Sequence, residues 1–267
     1  MPTQKAKSKG KVRLPVPGPW FRYGLPFIVI LIFLGLWELV IYLGSYPSFI
    51  LPLPQEVVRK SMVVMRDGTL WHHTRSTLLE VFLGLALGLS VATLLGYLLA
   101  KSQPLERLIS PYIVASQAIP VVALAPLLVI WFGFGLLSKV VVCGLIVFFP
   151  VLVNTIVGVR SVERELMDLL RSLEANRWQM LTMLEAPAAL PVLLGGLKIG
   201  VTLSVVGAVV GEFVAADEGL GFLINLSRGL FDTPLMFVAL FTLVIIALAL
   251  YGSVVALESA LLSWRRT

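Results

Sequence analysis

The sequence predicts an all-α polytopic membrane protein with six transmembrane helices. Hydrophobic residues make up 58% of the 267-residue chain and charged residues only 13%, whereas soluble globular proteins average about 25% charged residues. The apolar residues fall in runs long enough to cross about 30 Å of hydrocarbon as helices. We expect six spans, at about 25–43, 78–100, 108–132, 140–159, 192–212 and 235–257. They predict one membrane domain over residues 25–264, after a basic cytoplasmic arm at residues 1–24.

The basic residues are divided unequally between the two ends of the predicted spans. With the N-terminus inside, fourteen Lys and Arg residues fall on the inner side and six on the outer side. Such an excess marks the cytoplasmic side, so we expect both termini in the cytoplasm. The first apolar run has no Ala-x-Ala-like site after it, which favours an uncleaved span over a removed signal peptide. The net charge of +6 therefore requires no nucleic-acid partner.

Two of the predicted spans carry small residues at every fourth position. Small side chains let helix backbones approach closely in lipid, so we expect these spans to pack tightly against other helices. The stripe in the second span is Gly84, Gly88, Ala92, Gly96 and Ala100, and that in the fifth is Gly196, Gly200, Ser204 and Ala208.

Neither the cysteine nor the histidines predict a metal centre. Cys143 is the single cysteine of the sequence and lies in an apolar run, which indicates a buried structural residue. His72 and His73 are adjacent and point in different directions on a helix. That arrangement favours solvated surface histidines over metal ligands.

Polar and helix-breaking residues within the spans are candidates for the wall of a transport pathway. The third span contains Pro111, Pro120 and Pro126, which either break the helix beside a cavity or only kink it. Glu212 either faces the outer mouth or anchors a helix end, and the second interpretation is favoured. Lys198 is expected to extend to the membrane interface. The candidate pathway residues are Gln117, Pro120, Asn154, Ser204 and Glu212.

A polar segment, residues 163–191, separates the fourth and fifth spans on the predicted cytoplasmic side. Arg177 interrupts its helical pattern, which predicts a bend between Glu174 and Trp178. An amphipathic helix in this position needs a partner or the bilayer surface to cover its apolar side. No GxxxxGK[ST] phosphate loop occurs in the sequence, so we expect no enzyme, and ATP-driven work would depend on another subunit. At about 100° per residue, one face holds Leu166, Leu169, Leu170, Leu173, Met180, Leu181 and Leu184.

The same segment resembles the cytoplasmic signature of ABC-importer permeases, which reads EAA, three residues, Gly, nine residues and Ile-x-Leu-Pro. The EAA falls on residues 168–170, the Gly on Glu174 and the Ile-x-Leu-Pro on residues 184–187. FILPLPQEV, APLLVIWFGFG, FFPVLVNTIVGVRSV and VVGEFVAADEGLGFLI are similar to the nitrate/sulfonate/taurine branch of that family. The resemblance covers residues 37–264. Glu174 departs from the pattern, because glycine would permit a turn at that position.

This resemblance implies the type I (MetI-like) importer permease fold in a bacterial cytoplasmic membrane. It also implies ABC ATPase subunits, an external substrate-binding protein and a second copy of this chain in a homodimer. The cytoplasmic coupling loop, residues 160–190, is expected to place a short helix in a groove of the ATPase. Mg-ATP is expected in that partner, and no cofactor on this chain. The expected coupling residues are Asp168, Leu169, Leu170, Arg171, Ser172, Leu173, Glu174, Ala175 and Pro187, the last of which would close the element.

The solute is predicted only as a class. Residues 211–240 resemble permeases for thiamine-precursor pyrimidines or riboflavin, so a vitamin or heterocyclic precursor is favoured. Permeases for nitrate, sulfonates or taurine are the close alternative. An alternative from another functional class is a self-contained secondary transporter or channel, which would work without an ATPase and usually carries internal repeats. No clear repeat is found in the sequence. An intramembrane enzyme is unsupported by any catalytic motif.

Overall fold

Helices form the regular structure of the computed structural model, which describes residues 19–263. A five-residue π-helical turn, Leu181–Glu185, joins α8 to α9. In chain order the helices are α1 (Pro19–Gly44), α2 (Pro54–Arg66), α3 (Thr69–Lys101), α4 (Gln103–Gln117), α5 (Val121–Phe132), α6 (Leu136–Arg160), α7 (Arg164–Ser172), α8 (Arg177–Met180), α9 (Ala186–Ala215), α10 (Leu220–Gly229) and α11 (Thr233–Leu261).

The chain divides into two compact units, residues 1–54 and 55–267. In the first unit, α1 contains an apolar stretch, Phe27–Gly44, that is long enough to cross a membrane. Most side chains of this stretch are exposed, as suits a helix surrounded by lipid. Most of the predicted basic arm, residues 1–18, lies outside the described residues. Its last residues belong to α1, which begins at Pro19.

The described residues contain five helical runs long and apolar enough to span a membrane, or six spans if α4 and α5 count as one. The five runs lie in α1, α3, α6, the continuous stretch from α8 to α9, and α11. These runs overlap the predicted spans other than the third. The fifth span begins earlier than predicted, because helix extends back to Arg177.

The third predicted span is broken rather than kinked. α4 and α5 meet at an angle of 96°, and α5 starts directly after Pro120. Proline has no backbone N–H and disfavours helical geometry in the residue before it, here Ile119. With 15 and 12 residues, neither half reaches the roughly 20 residues that cross a bilayer. A simple kink is therefore the wrong interpretation of Pro120, whereas Pro111 and Pro126 lie inside α4 and α5.

The core of the second unit is formed by α3, α6 and α9, with α6 in contact with both of the others. A Cβ atom at Gly96 of α3 would lie 2.7 Å from Cβ of Thr155 in α6. A Cβ atom at Gly196 of α9 would lie 2.9 Å from Cβ of Asn154, also in α6. Because these distances are shorter than van der Waals contact, the close approach depends on glycine. The predicted tight packing of both stripes is confirmed, and Cys143 is fully buried in this core, as expected.

Candidate functional site

α7 presents an uncovered apolar surface between two spans. The side chains of Leu166, Leu169 and Leu173 are 43%, 55% and 68% exposed, and Met167 and Leu170 are half-buried. This helix has no buried residue, so the rest of the described chain leaves its apolar side open. A contiguous exposed apolar patch rimmed by polar residues is typical of an interaction site.

A pair of opposite charges lies beside this apolar surface. Nη1 of Arg171 donates a hydrogen bond to Oδ1 of Asp168 at 3.0 Å. The two residues are neighbours on the helix, as their spacing of three predicts. Both side chains are largely exposed, so the pair adds little to the stability of the chain itself. Both groups remain accessible to a partner that presents complementary charge.

The bend predicted after α7 is confirmed and is centred on Glu174. This residue has φ +55°, which lies in the left-handed region that glycine favours. The Ala175 N–H donates to the Leu170 carbonyl, and the Glu174 N–H donates to the Arg171 carbonyl, both at 3.0 Å. These two bonds define the Schellman motif that ends helices. The chain therefore makes, with glutamate, the turn for which the family pattern uses glycine.

The second half of the polar segment leads straight into a membrane helix. Asn176 begins α8 with a capping box, in which it and Gln179 exchange hydrogen bonds at 2.8 Å. The π-helical turn follows and α9 continues it, so the expectation that Pro187 closes the element is wrong. Pro187 would normally conflict with the carbonyl four residues earlier, that of Met183. Met183 lies in the π-helical turn, where the Ala186 N–H bonds to a carbonyl five residues back, and this wider turn accommodates the proline.

A buried carboxylate fixes the position of this π-helical turn. Glu185 is 3% exposed. It is paired with Lys101 at the end of α3 and accepts a hydrogen bond from the Tyr97 hydroxyl at 3.2 Å. The sequence gives no local signal for this link, because the two residues lie 84 positions apart. The contact ties α3 to the segment that follows α7.

The five candidate pathway residues do not form one site. Gln117 borders a cavity of about 600 Å³ between α4 and α6, and Pro120 marks the break after α4. Asn154 donates to the Pro150 carbonyl at 2.8 Å and packs against Gly196 of α9. Ser204 is fully buried and donates to a carbonyl of its own helix at 2.8 Å. The structure therefore gives Asn154 and Ser204 packing contacts at the interface of α6 and α9.

An ion pair lies at one end of the cavity between α4 and α6. Arg160 donates two hydrogen bonds to the Glu106 carboxylate, at 2.7 and 2.5 Å, and both residues line the cavity. Arg160 is the last residue of α6, four residues before α7 begins. The pair joins α4 to the end of α6 that leads into the exposed surface of α7. The two parallel hydrogen bonds fix both the orientation and the separation of the two side chains.

Glu212 lies at the opposite end of the core and is 2% exposed. It accepts a hydrogen bond from the Thr77 hydroxyl at 2.6 Å and another from the Gly221 N–H at the start of α10. It therefore anchors a helix end, as favoured from the sequence. It also borders a cavity of about 580 Å³. Lys139, at the start of α6, is 4% exposed and is paired with Glu80 of α3.

Lys198 is ion-paired, with its Nζ 2.5 Å from the Glu258 carboxylate near the end of α11. The expectation for His73 is wrong. His73 is not a solvated surface residue, because it is half-buried and its Nδ1 accepts the Gly219 N–H at 3.0 Å. His72 is exposed and lies 3.1 Å from Glu218. Among the described residues, no group of three or more His, Cys, Asp or Glu could hold a metal ion.

The described fold, with its broken third span and the exposed helix α7, belongs to a known class of transport proteins. Residues 84–263 match the family described as binding-protein-dependent transport system inner membrane component. The chain is a member of this family. It is therefore a multi-pass membrane protein and a permease of the ABC importer class, as the sequence resemblance implied.

Three named permeases are similar to this chain along most of its length. The chain is 50% identical to the riboflavin transport system permease protein RibX of Chloroflexus aurantiacus, over 92% of this chain and 91% of that protein. It is 36% identical to the formylaminopyrimidine transport permease protein ThiX of Halalkalibacterium halodurans, over 90% and 96%. It is 31% identical to the taurine transport system permease protein TauC of Escherichia coli, over 87% and 86%.

A solved structure supports the fold independently. The chain is similar to the inward-facing MetNI methionine ABC transporter with a TM-score of 0.65, covering 72% of this chain and 97% of that one. The sequence identity is 20%, so this similarity concerns the fold alone. The predicted type I (MetI-like) permease fold is confirmed.

Proposed function

We propose that this chain is the permease subunit of an importer for riboflavin or a closely related heterocyclic vitamin precursor. The observation that carries the proposal is the 50% identity to a riboflavin permease along nearly the whole of both chains. The formylaminopyrimidine permease, at 36%, supports the same chemical class of flat, nitrogen-rich ring compounds. The taurine permease, at 31%, keeps small sulfonates as the second candidate.

In this proposal the energy comes from a partner ATPase that docks on α7. The exposed leucines supply the apolar contact, and the Asp168–Arg171 pair sets the register of docking. The residues proposed to carry coupling are Asp168, Leu169, Leu170, Arg171, Ser172, Leu173, Glu174 and Ala175. Mg-ATP is bound and hydrolysed by the partner, and this chain binds no cofactor.

Two copies of the chain are proposed to enclose the translocation pathway, with both termini in the cytoplasm and an external binding protein on the opposite side. The cavity between α4 and α6 forms part of the pathway wall, with Gln117 as a polar contact near the break at Pro120. A solute with several hydrogen-bonding ring nitrogens needs such polar groups in an otherwise apolar wall. Closure of the ATPase pair would draw the two copies of α7 together and move α6 and α9, to which each is connected.

Uptake measurements test this function. Riboflavin accumulation would be measured in riboflavin-auxotrophic cells that express the chain with its ATPase and binding protein, with cells lacking only this chain as the control. We expect riboflavin uptake to require the chain. Unlabelled formylaminopyrimidine or taurine should reduce this uptake less than unlabelled riboflavin does. Uptake of taurine in place of riboflavin would establish the second candidate. Riboflavin uptake that persists without any ATPase would contradict the importer mechanism.

A further inference from the structure

A buried cluster of charged side chains joins α3, α6 and α9 at the end of the core opposite α7. Glu80 of α3 and Glu212 of α9 are 0% and 2% exposed, and Lys139 of α6 is 4% exposed. The Lys139 ammonium is paired with Oε1 of Glu80. Thr77, three residues before Glu80 on α3, donates its hydroxyl to Glu212, so the two carboxyl groups belong to the same buried cluster. Nothing in the proposed transport cycle accounts for this cluster.

The charges of this cluster do not balance if both carboxyl groups are ionised. Two carboxylates and one ammonium would leave a net charge of −1 on three side chains that are each at most 4% exposed. Uncompensated buried charge is strongly unfavourable, and two adjacent carboxylates sharing one site do not both ionise. One more positive charge is required, and a proton between the two carboxyl groups supplies it.

The hydrogen bonds indicate which carboxyl group holds the proton. Glu212 accepts at both oxygens, from the Thr77 hydroxyl at Oε1 and from the Gly221 N–H at Oε2, as an ionised carboxylate does. Glu80 differs, because its Oε2 is buried and has no hydrogen-bond partner within the described part of the chain. A buried oxygen without a partner is costly. A proton on this oxygen turns it into a donor and removes that cost.

We propose that Glu80 and Glu212 form a proton-binding site in which Oε2 of Glu80 carries the proton and donates a hydrogen bond to the Glu212 carboxylate. Lys139 then balances the single remaining negative charge. The site holds α3, α6, α9 and the start of α10 together, and loss of the proton leaves two repelling carboxylates that loosen this end of the core. The other titratable groups of the surrounding elements are Cys143 of α6, His73 of α3 and Glu218 of the connection from α9 to α10, which bonds to Ser76.

Infrared spectroscopy of the full-length chain in lipid vesicles tests the site without reference to any solute. Substitution Glu80→Gln removes the protonated carboxyl group but preserves a hydrogen-bond donor at that position. We expect the difference spectrum, wild type minus variant at neutral pH, to contain the C=O band of a carboxylic acid that shifts in D₂O, besides the bands of the introduced amide. Glu106→Gln is the matched control, because Glu106 is ion-paired with Arg160, and its difference spectrum should contain carboxylate and amide bands but no carboxylic-acid band.

Thermal unfolding of the same samples provides the second readout. Glu80→Gln should keep the wild-type melting temperature at neutral pH, whereas Glu212→Gln should lower it, since the amide cannot accept at both positions. At alkaline pH the wild-type melting temperature should fall more than that of Glu80→Gln, which has no proton to lose at this atom. Carboxylate bands in place of the carboxylic-acid band in the Glu80→Gln difference spectrum, or equal alkaline losses in both proteins, would overturn the proposal.

Discussion

The two ends of α6 differ in how their polar groups are satisfied. At its C-terminal end, α7 exposes leucines and a solvent-accessible ion pair, Asp168–Arg171, to the surroundings. At its N-terminal end, Lys139 is enclosed with Glu80 and Glu212. The first end leaves its apolar and charged side chains exposed, and the second is satisfied within the chain. Substitutions should therefore alter association at one end and folding at the other.

The largest effect is expected for Lys139→Met at the enclosed end. Removing the ammonium leaves buried carboxyl groups without their cation, and breaking a buried pair in this way costs about 3–5 kcal/mol. The measurement is thermal or denaturant unfolding of the purified chain in detergent. Lys60→Met is the matched control, because Lys60 pairs with Asp232 at 2.5 Å but both side chains are partly exposed. A loss for Lys139→Met no greater than that of the control would show that the cluster contributes little to stability.

A smaller effect, in the stabilising direction, is expected for Glu174→Gly at the exposed end. The glutamate has φ +55°, and glycine adopts this conformation without the roughly 1–2 kcal/mol cost that other residues bear. Because glycine also has a more flexible unfolded state, we expect a net gain of about 0.5–1 kcal/mol in the free energy of unfolding, with assembly and transport retained. Glu174→Ala, which removes the carboxylate but keeps the strain, should give no such gain. A complex that fails to assemble with glycine at this position would refute the alignment of residue 174 with the family pattern.

Features that depend on neighbouring residues were predictable from the sequence. Spans follow from apolar runs, and the stripe containing Gly96 follows from a spacing of four along one helix. The bend at Glu174 was visible because Arg177 interrupts a helical pattern. The break at Pro120 was left open between two interpretations, since proline alone does not determine the angle between the helices it separates.

Features that depend on pairing between distant residues were not predictable in this way. Glu80 and Lys139 meet across two different spans, and Glu185 meets Lys101 across 84 positions of the chain. One sequence gives no measure of which distant groups will be neighbours. A usable signal was present for Glu80, because an ionisable residue inside a span is a functional candidate by default. The prediction for Pro187 was wrong for a different reason. The π-helical turn before this proline removes the conflict with the carbonyl four residues earlier, which normally ends a helix.

The most direct test of the account is whether α7 is the surface that holds the ATPase. The permease carrying Leu169→Asp and Leu173→Asp together would be purified by an affinity tag from membranes that also contain the ATPase. We expect normal insertion and yield of the permease, with at least about a tenfold loss of bound ATPase, which corresponds to about 1.4 kcal/mol. Leu230→Asp is the control, because Leu230 is 66% exposed but follows α10 at the other end of α9. Undiminished ATPase on the double variant would contradict the central claim.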